Sequence, residues 1–288
     1  MGDDFKEDLK LGPSNIKQVS DQYRKIRNTF RFLLGNINAE DFDPKKDMVA
    51  YEDLTAVDQY ILVQLNDVVA NVRRQVLDYD YVAANKTLMN FMVNELSSYY
   101  CDFTKDILYC SAADDKRRRQ VQTVYWHACD VLVRLWAPFL AYTTEEVWKY
   151  FSNNAEDSVH YMSFPEPADY ADHAELAETF AAAKAIRDDV LKALEDARNE
   201  KTIASAQEAM VTIACPKAEQ ELLEKALNGE VAQWLIVSKV VFTEAAERSV
   251  TVDRAPGTKC PRCWNYTEEA DEDGLCPRCR MALALGRR

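Results

Sequence analysis

PSNIKQVSDQYRKIRNTFRFLLGNI, residues 13–37, sets the architecture. Ile16, Val19, Tyr23, Ile26, Phe30, Leu33 and Ile37 recur at alternating steps of three and four, which puts them on one side of an α-helix. Pro13 suits a first helical turn, where its missing N–H costs nothing. Lys17, Arg24, Arg27 and Arg31 recur at steps of seven, three and four. At 100° per residue they form a second stripe, roughly 115° around the helix from the first. One face is predicted to be buried and its neighbour strongly basic. The basic stripe reads either as a solvated face or as a ridge that contacts phosphates.

Working outward, residues 39–53 read as a loop and Thr55–Leu77 as a second helix. A third runs from Tyr81 to Ser98, with an extension toward Cys110. The loop Ala112–Asp115 follows. Lys116-Arg117-Arg118-Arg119 opens a fourth helix that reaches Trp136 and stops at Pro138, which cannot continue the hydrogen-bond ladder. Thr143 with Glu146 reads as a capping box for a short fifth helix through Trp148. Long amphipathic helices with short connections predict an antiparallel bundle over residues 1–151.

Ser152–Asp172 is irregular and acidic, with Pro165 and Pro167, and reads as a linker or wrapping segment. A helix from Ala174 to Glu200 carries Leu176, Phe180, Ala183, Val190, Leu194 and Ala197 on one face. Residues 152–200 are therefore expected to pack on the bundle. The pattern then changes to strand Ala209–Cys215, helix Lys217–Leu227, and strands Val237–Thr243 and Ser249–Asp253. Residues 201–258 read as a small α+β module. The expected fold class is mainly α, an antiparallel helical bundle followed by this module and by a terminal four-cysteine zinc-binding module, 259–288.

That last stretch reads CPRCWNYTEEADEDGLCPRC, residues 260–279. Cys260, Cys263, Cys276 and Cys279 are spaced C-x2-C-x12-C-x2-C. Two residues between cysteines let both thiolates face one point, and two such knuckles complete a tetrahedron suited to Zn2+. Four thiolates leave no open position, so the expected zinc is structural. Asp273-Gly274 is expected to form a hairpin turn between the knuckles. Two disulfides or idle thiols are the alternatives. Cys101, Cys110, Cys129 and Cys215 lack motif spacing and read as small core residues. Trp264 and Tyr266 follow a ligand, and Arg262 and Arg278 sit inside the knuckles. Aromatics beside arginine can stack on unpaired bases and hold phosphates. Trp264 reads equally well as a lid packed over the metal.

Composition narrows the function. The 288 residues include only 7 Gly, which disfavours Gly-rich phosphate loops. No apolar run approaches the roughly 18 residues of a membrane span, and MGDDFKEDLK is no signal peptide. A cytoplasmic location with reduced thiols is expected. The net charge of −13 opposes generic binding of nucleic acid, so any RNA contact needs a local basic face. Residues 254–288 hold seven Lys or Arg and five Asp or Glu, the acids all lying between the cysteine pairs. No G-x-S-x-G, Walker, H-E-x-x-H or G-x-G-x-x-G motif occurs. Of the three histidines, His127 reads as part-buried in a helix, and His160 and His173 as exposed in the linker. Glu145 and Glu146 read as first-turn residues favoured by the helix dipole. No catalytic residue is expected.

Several stretches carry a resemblance. LKLGPSNIKQVSDQYRKIRNTFRFLLGNI resembles the opening helix of the anticodon-binding domain of class Ia aminoacyl-tRNA synthetases, the isoleucyl family being most similar. LVRLWAPFLAYTTEEVWKYF resembles the helix-Pro-helix element of that domain, and SVHYMSFPE the segment after it. EDARNEKTIASAQEAMVTI resembles the family's R-x-x-K-x-I-G-x-S-L-E-A stretch, but the family's Gly and Leu are gone from Ile203-Ala204-Ser205-Ala206-Gln207-Glu208-Ala209, which puts the turn there in question. The CPRCW…CPRC tail is similar to the zinc module of the bacterial-type isoleucine enzymes. The matches run in the family's order over nearly the whole chain.

The resemblance implies binding rather than bond-making. The H-I-G-H and K-M-S-K-S motifs are absent, as is an editing domain, so ATP, isoleucine and Mg2+ would belong to a part not in this sequence. The chain is expected to be a C-terminal fragment, inactive alone, with Met1-Gly2 as an added start. Its expected partner is the anticodon stem-loop of tRNA-Ile, with no membrane or DNA partner, and a monomeric state. Arg24, Arg27 and Arg31 are the expected contacts on the bundle, with Arg262, Trp264 and Arg278 on the zinc module. Arg73-Arg74 and Lys116–Arg119 are weaker candidates. A free-standing zinc-ribbon protein that binds nucleic acid or protein explains the cysteines but not the ordered matches. A DNA glycosylase of the formamidopyrimidine type would need an N-terminal proline, and an unrecognised enzyme would need a pocket of perturbed acids and bases.

Overall fold

α1, Pro13–Asn36, is one unbroken helix in the computed structural model, which describes residues 6, 8, 11–152, 154, 157–170 and 173–285. Met1-Gly2, Leu9 and Lys10 of the first motif, Asn153, Ala155, Glu156, Ala171 and Asp172 of the linker, and residues 286–288 lie outside the described residues. Only the second half of the predicted α1 stripe is buried. Ile26, Phe30, Leu33 and Ile37 are enclosed, whereas Ile16 and Val19 are more than half exposed and Tyr23 is exposed. Periodicity reports which side of a helix is apolar, not how much of that side a neighbour covers. Among the described residues, the fully enclosed part of α1 begins at Ile26.

α2 (Ala56–Leu77), α3 (Tyr81–Asn90), α4 (Asp102–Cys110), α5 (Lys116–Trp136) and α6 (Ala141–Ser152) follow. Between α3 and α4 the chain stays helical but widens into a π-helix, Phe91–Cys101. Its buried residues are Phe91, Met92, Leu96, Tyr99, Tyr100 and Cys101. Phe91, Leu96 and Cys101 are five apart, and Met92, Leu96 and Tyr100 four apart, so the inward face follows a turn wider than 3.6 residues.

The chain divides into two compact units: Met1–Glu52, Ile61–Asp102 and Arg119–Ala171, and Asp53–Tyr60, Phe103–Arg118 and Asp172–Arg288. This division differs from the expected boundary near residue 151. Residues 103–118 go with the second unit because C-terminal side chains hold α4, as described below.

In the first unit, α1 packs against the π-helix and α6. Tyr125 of α5 is fully buried between Phe32 and Tyr100, both rings 5.9 Å away. Residues 157–170 strap this unit as expected. Trp148 Nε1 donates to Asp157 at 3.0 Å, Arg73 binds Pro165 O and Glu166, and the Asn66 side chain exchanges hydrogen bonds with the Ala168 backbone. The predicted capping box does not form. α6 begins at Ala141, so Thr143 lies inside its first turn, where its hydroxyl pairs with Tyr23 Oη at 3.0 Å. Glu145, two residues on, accepts from Ser158 Oγ and Val159 N. It anchors the strap rather than serving the helix dipole.

In the second unit, α7 (His173–Asn199) buries Leu176, Phe180, Ala183, Ile186, Val190, Leu194 and Ala197. His173 opens this helix instead of lying in the linker. A sheet of order β2-β1-β3 follows, made of β1 (Ala209–Cys215), β2 (Lys239–Glu244) and β3 (Ser249–Arg254). β1 pairs parallel with β2 and antiparallel with β3. Its burial alternates strictly, with Ala209, Val211, Ile213 and Cys215 inside. α8 (Lys217–Ala226) is as expected; the short α9 (Val231–Leu235) is an addition that buries Trp234. The turn after α7 closes without the family's glycine. Lys201 takes φ +62°, Thr202 N bonds back to Ala197 O, and Glu208 accepts from Ala204 N. Asp58 is fully buried and takes Arg117 through two hydrogen bonds, at 2.6 and 3.2 Å. No described helix is long and apolar enough to cross a membrane.

Candidate nucleic-acid interface and metal centre

Each unit carries one candidate surface. On the first unit, a groove of about 490 Å³ runs between α1 and α6. Phe30, Leu34, Ile37 and Val147 form its apolar lining, Arg27 and Arg31 edge it from α1, and Glu146 and Tyr150 from α6. Arg27 and Arg31 are exposed and, among the described residues, have no ion-pair partner. Arg24 is also exposed but pairs with Asp21 at 3.1 Å, which mutes its charge. Tyr150 is 73% exposed, a large aromatic left in solvent beside two guanidinium groups. Sequence reading singled out the arginines but not Tyr150 or Leu34. Both look like ordinary helix residues until α6 is placed against α1.

Of the weaker basic candidates, three are committed elsewhere, while Arg74 and Lys116 are exposed. Arg73 holds the strap, Arg117 is buried against Asp58 and bonds Glu230, and Arg119 donates to Asp41 O and Gln122. Their charge serves the fold.

On the second unit, Cys260, Cys263, Cys276 and Cys279 are all buried, and their Sγ atoms lie within 4.8 Å of one another. Cys263 and Cys276 Sγ are 3.6 Å apart, too far for a disulfide near ~2.05 Å. Ligands about 2.3 Å from a tetrahedral ion would sit roughly 3.8 Å apart, so the thiols fit a soft divalent metal. β4 (Thr258–Lys259) and β5 (Tyr266–Thr267) form a small hairpin around the first knuckle. Gly257 allows it: at φ +91° a Cβ would stand 2.1 Å from Thr267 O. The second knuckle opens α10 (Pro277–Ala284), with Cys276 at its N-cap. Asp273-Gly274 does turn, but in a loop closed by Asp271, whose carboxylate accepts from Asp273 N and Leu275 N. It does not join two strands. Burial opposes charge on Cys260, yet N–H groups of Cys263, Cys276 and Arg262 outweigh it and hold this thiol below its ordinary range.

Trp264 is 58% exposed, so much of its ring faces solvent whatever the rest covers. It sits at φ +68°, a left-handed conformation that costs a bulky residue about 1–2 kcal/mol, with Lys259 Nζ 5.6 Å from its ring. Arg262 and Arg278 point inward. Arg262 Nη1 donates to Cys110 O at 2.5 Å, and Arg278 pairs with Asp106 at 2.7 Å. Cys101, Cys110, Cys129 and Cys215 are buried as expected, and burial pushes Cys101 up to about 12, leaving it unreactive at neutral pH. Cys110, however, packs against the four metal-site cysteines, which its position in the sequence did not suggest.

A family model described as the anticodon-binding domain of tRNA ligase matches residues 58–213. Curated relatives align along nearly the whole chain. An isoleucine–tRNA ligase of Bacillus licheniformis is 42% identical over 96% of the chain and 31% of its own length. One from Desulforudis audaxviator is 43% identical over 98% of the chain and 32% of its own length. One from Bacillus cereus is 39% identical over 97% and 32%. The chain spans about a third of the length of these relatives.

Proposed function

This chain belongs to the anticodon-binding domain family of tRNA ligases, and we propose that it reads the anticodon stem-loop of tRNA-Ile for an isoleucine–tRNA ligase. The observation that carries the reading is the groove between α1 and α6. It offers an apolar floor flanked by unpaired guanidinium groups and an exposed tyrosine. Unstacked loop bases are recognised by such combinations of aromatic faces, arginine planes and edge hydrogen bonds. Arg27 and Arg31 are placed to hold the loop backbone or a base edge, with Arg24, partly neutralised by Asp21, further along the ridge. Trp264 offers a free ring face for a further base.

Arg262 and Arg278 reach RNA in this reading only through their field, because their guanidinium groups are engaged inside the protein. Zn2+ is the ion we assign to the four thiolates, which suit it in a closed tetrahedral site, and its part is structural. The chain acts as a cytoplasmic monomer with no DNA partner. Activation of isoleucine with ATP and Mg2+, and transfer to tRNA, fall to other parts of the ligase.

The test is binding of this chain to an isoleucine-specific anticodon stem-loop and to one with a swapped anticodon, across a salt series. A preference that survives moderate salt is expected. Equal affinities that fall together with salt would reduce the surface to a sequence-blind phosphate contact.

A further inference from the structure

Both Cys-Pro-Arg-Cys doublets carry arginine at their third position, and both arginines end on one helix far upstream in the sequence. Arg262 Nη1 donates to Cys110 O at 2.5 Å and Nη2 to Tyr109 O at 3.3 Å. These are carbonyls of the last turn of α4, which have no partner within the helix and carry its negative dipole end. Arg278 pairs with Asp106 at 2.7 Å, one turn earlier, and its Nη1 donates to Gln233 Oε1 at 3.2 Å. Gln233 Nε2 donates to Phe103 O at 2.7 Å, so the same chain of bonds reaches the start of α4. Asp106 also accepts from Cys110 Sγ, which packs on the four thiols.

Each arginine lies between two metal-site cysteines, so its backbone is placed by the metal. Four thiolates around a divalent ion leave a net negative charge, and the two guanidinium groups oppose it from the outer shell. We infer that Arg262 and Arg278 are positioning residues that lock α4 to the four-thiol centre: metal binding orders residues 103–111, and α4 in turn tightens the metal. The inference rests on the reading that a divalent metal fills the site. Its reciprocity is required by linkage, since whatever the metal does for α4, α4 must do for the metal.

The test uses the full chain. Metal content is measured first by elemental analysis. Hydrogen exchange is then followed over residues 103–111, 119–136 and 259–284, before chelation, after it, and after adding Zn2+ back. Protection at 103–111 is expected to fall with that at 259–284 and to return with the ion, while 119–136 stays protected. In the Arg262→Gln/Arg278→Gln variant, competition with a chromophoric chelator is expected to show metal affinity lowered by about 10–100-fold. Exchange at 103–111 is expected to be faster in that variant even when it is loaded. Metal bound but 103–111 indifferent to its removal would overturn the lock and leave the metal reading standing. Wild-type metal affinity in the double variant would overturn it as well. A chain that takes up no metal would sink both. The chelation arm needs no variant, so a double variant that fails to fold does not shield the idea.

Discussion

Leu33 and Cys260 are both fully buried, yet they are buried for different reasons. Leu33 lies in a core built from long facing helices, where each large side chain removed from water contributes roughly 1.5–3 kcal/mol. Cys260 lies in a short module with two two-residue strands and one eight-residue helix. So small a piece cannot enclose enough apolar surface to hold itself together. Its order depends on four side chains agreeing on one point. The bundle should therefore lose stability in increments as residues are trimmed, and the metal module all at once.

Removing the metal is the harshest way to press that difference. Structural zinc contributes on the order of 10 kcal/mol to small modules near neutral pH. Chelation should abolish protection across residues 259–284, with α4 following if the arginine lock holds, while the far-ultraviolet signal of α1, α2 and α5 persists. Loss of that signal together with the metal would erase the distinction between the two regions.

A core truncation presses from the other side. Phe30→Ala should cost the bundle about 3–5 kcal/mol in denaturant unfolding and leave metal content unchanged. A metal site weakened by Phe30→Ala would mean that the two regions share stability.

The same contrast explains what the sequence disclosed. Helix periods placed α2, α5 and α7 almost to the residue, and alternation placed β1, because a buried face writes itself into every turn. The four thiols were legible from spacing alone, since few other structures need C-x2-C twice. Periodicity failed where burial is decided by distant neighbours. The Ile16–Tyr23 half of the α1 stripe is exposed, and Thr143 bonds Tyr23 instead of capping α6. The π-helix was hidden because steps of four suit both helix types. The arginines were the hardest to place. Arg27 and Arg278 are the same residue type in a basic context, but one faces a groove and the other a carboxylate on α4. Only the tertiary fold separates a free guanidinium from an engaged one.

Trp264 tests whether the metal module also serves recognition. Trp264→Ala should weaken stem-loop binding by about 1–3 kcal/mol, the range of a base stacked on an aromatic ring, with metal retained. Trp264→Gly should lose the same affinity while stabilising the module, because glycine accepts φ +68° freely. Unchanged affinity in both variants would leave the strain without a functional role.

The smallest expected effect separates the two regions by acid. His127 is part-buried on α5, and burial lowers its pKa despite Asp130 nearby. Its unfolded form protonates near ~6.5, whereas its folded form resists until lower pH. Folding is unaffected by this group above about 6.5 and loses stability as pH falls from there toward the folded pKa, below which the loss levels off. One proton limits the slope to about 1.4 kcal/mol per pH unit. The metal module is also acid-sensitive, since thiolates must compete with protons for the ion. The two can be told apart: the His127 component should persist in chelator and vanish in His127→Gln. Bundle unfolding measured with and without chelator from about pH 7.5 to 5, a range that spans the ordinary histidine pKa, decides it. A pH dependence that survives His127→Gln undiminished would place the acid sensitivity elsewhere.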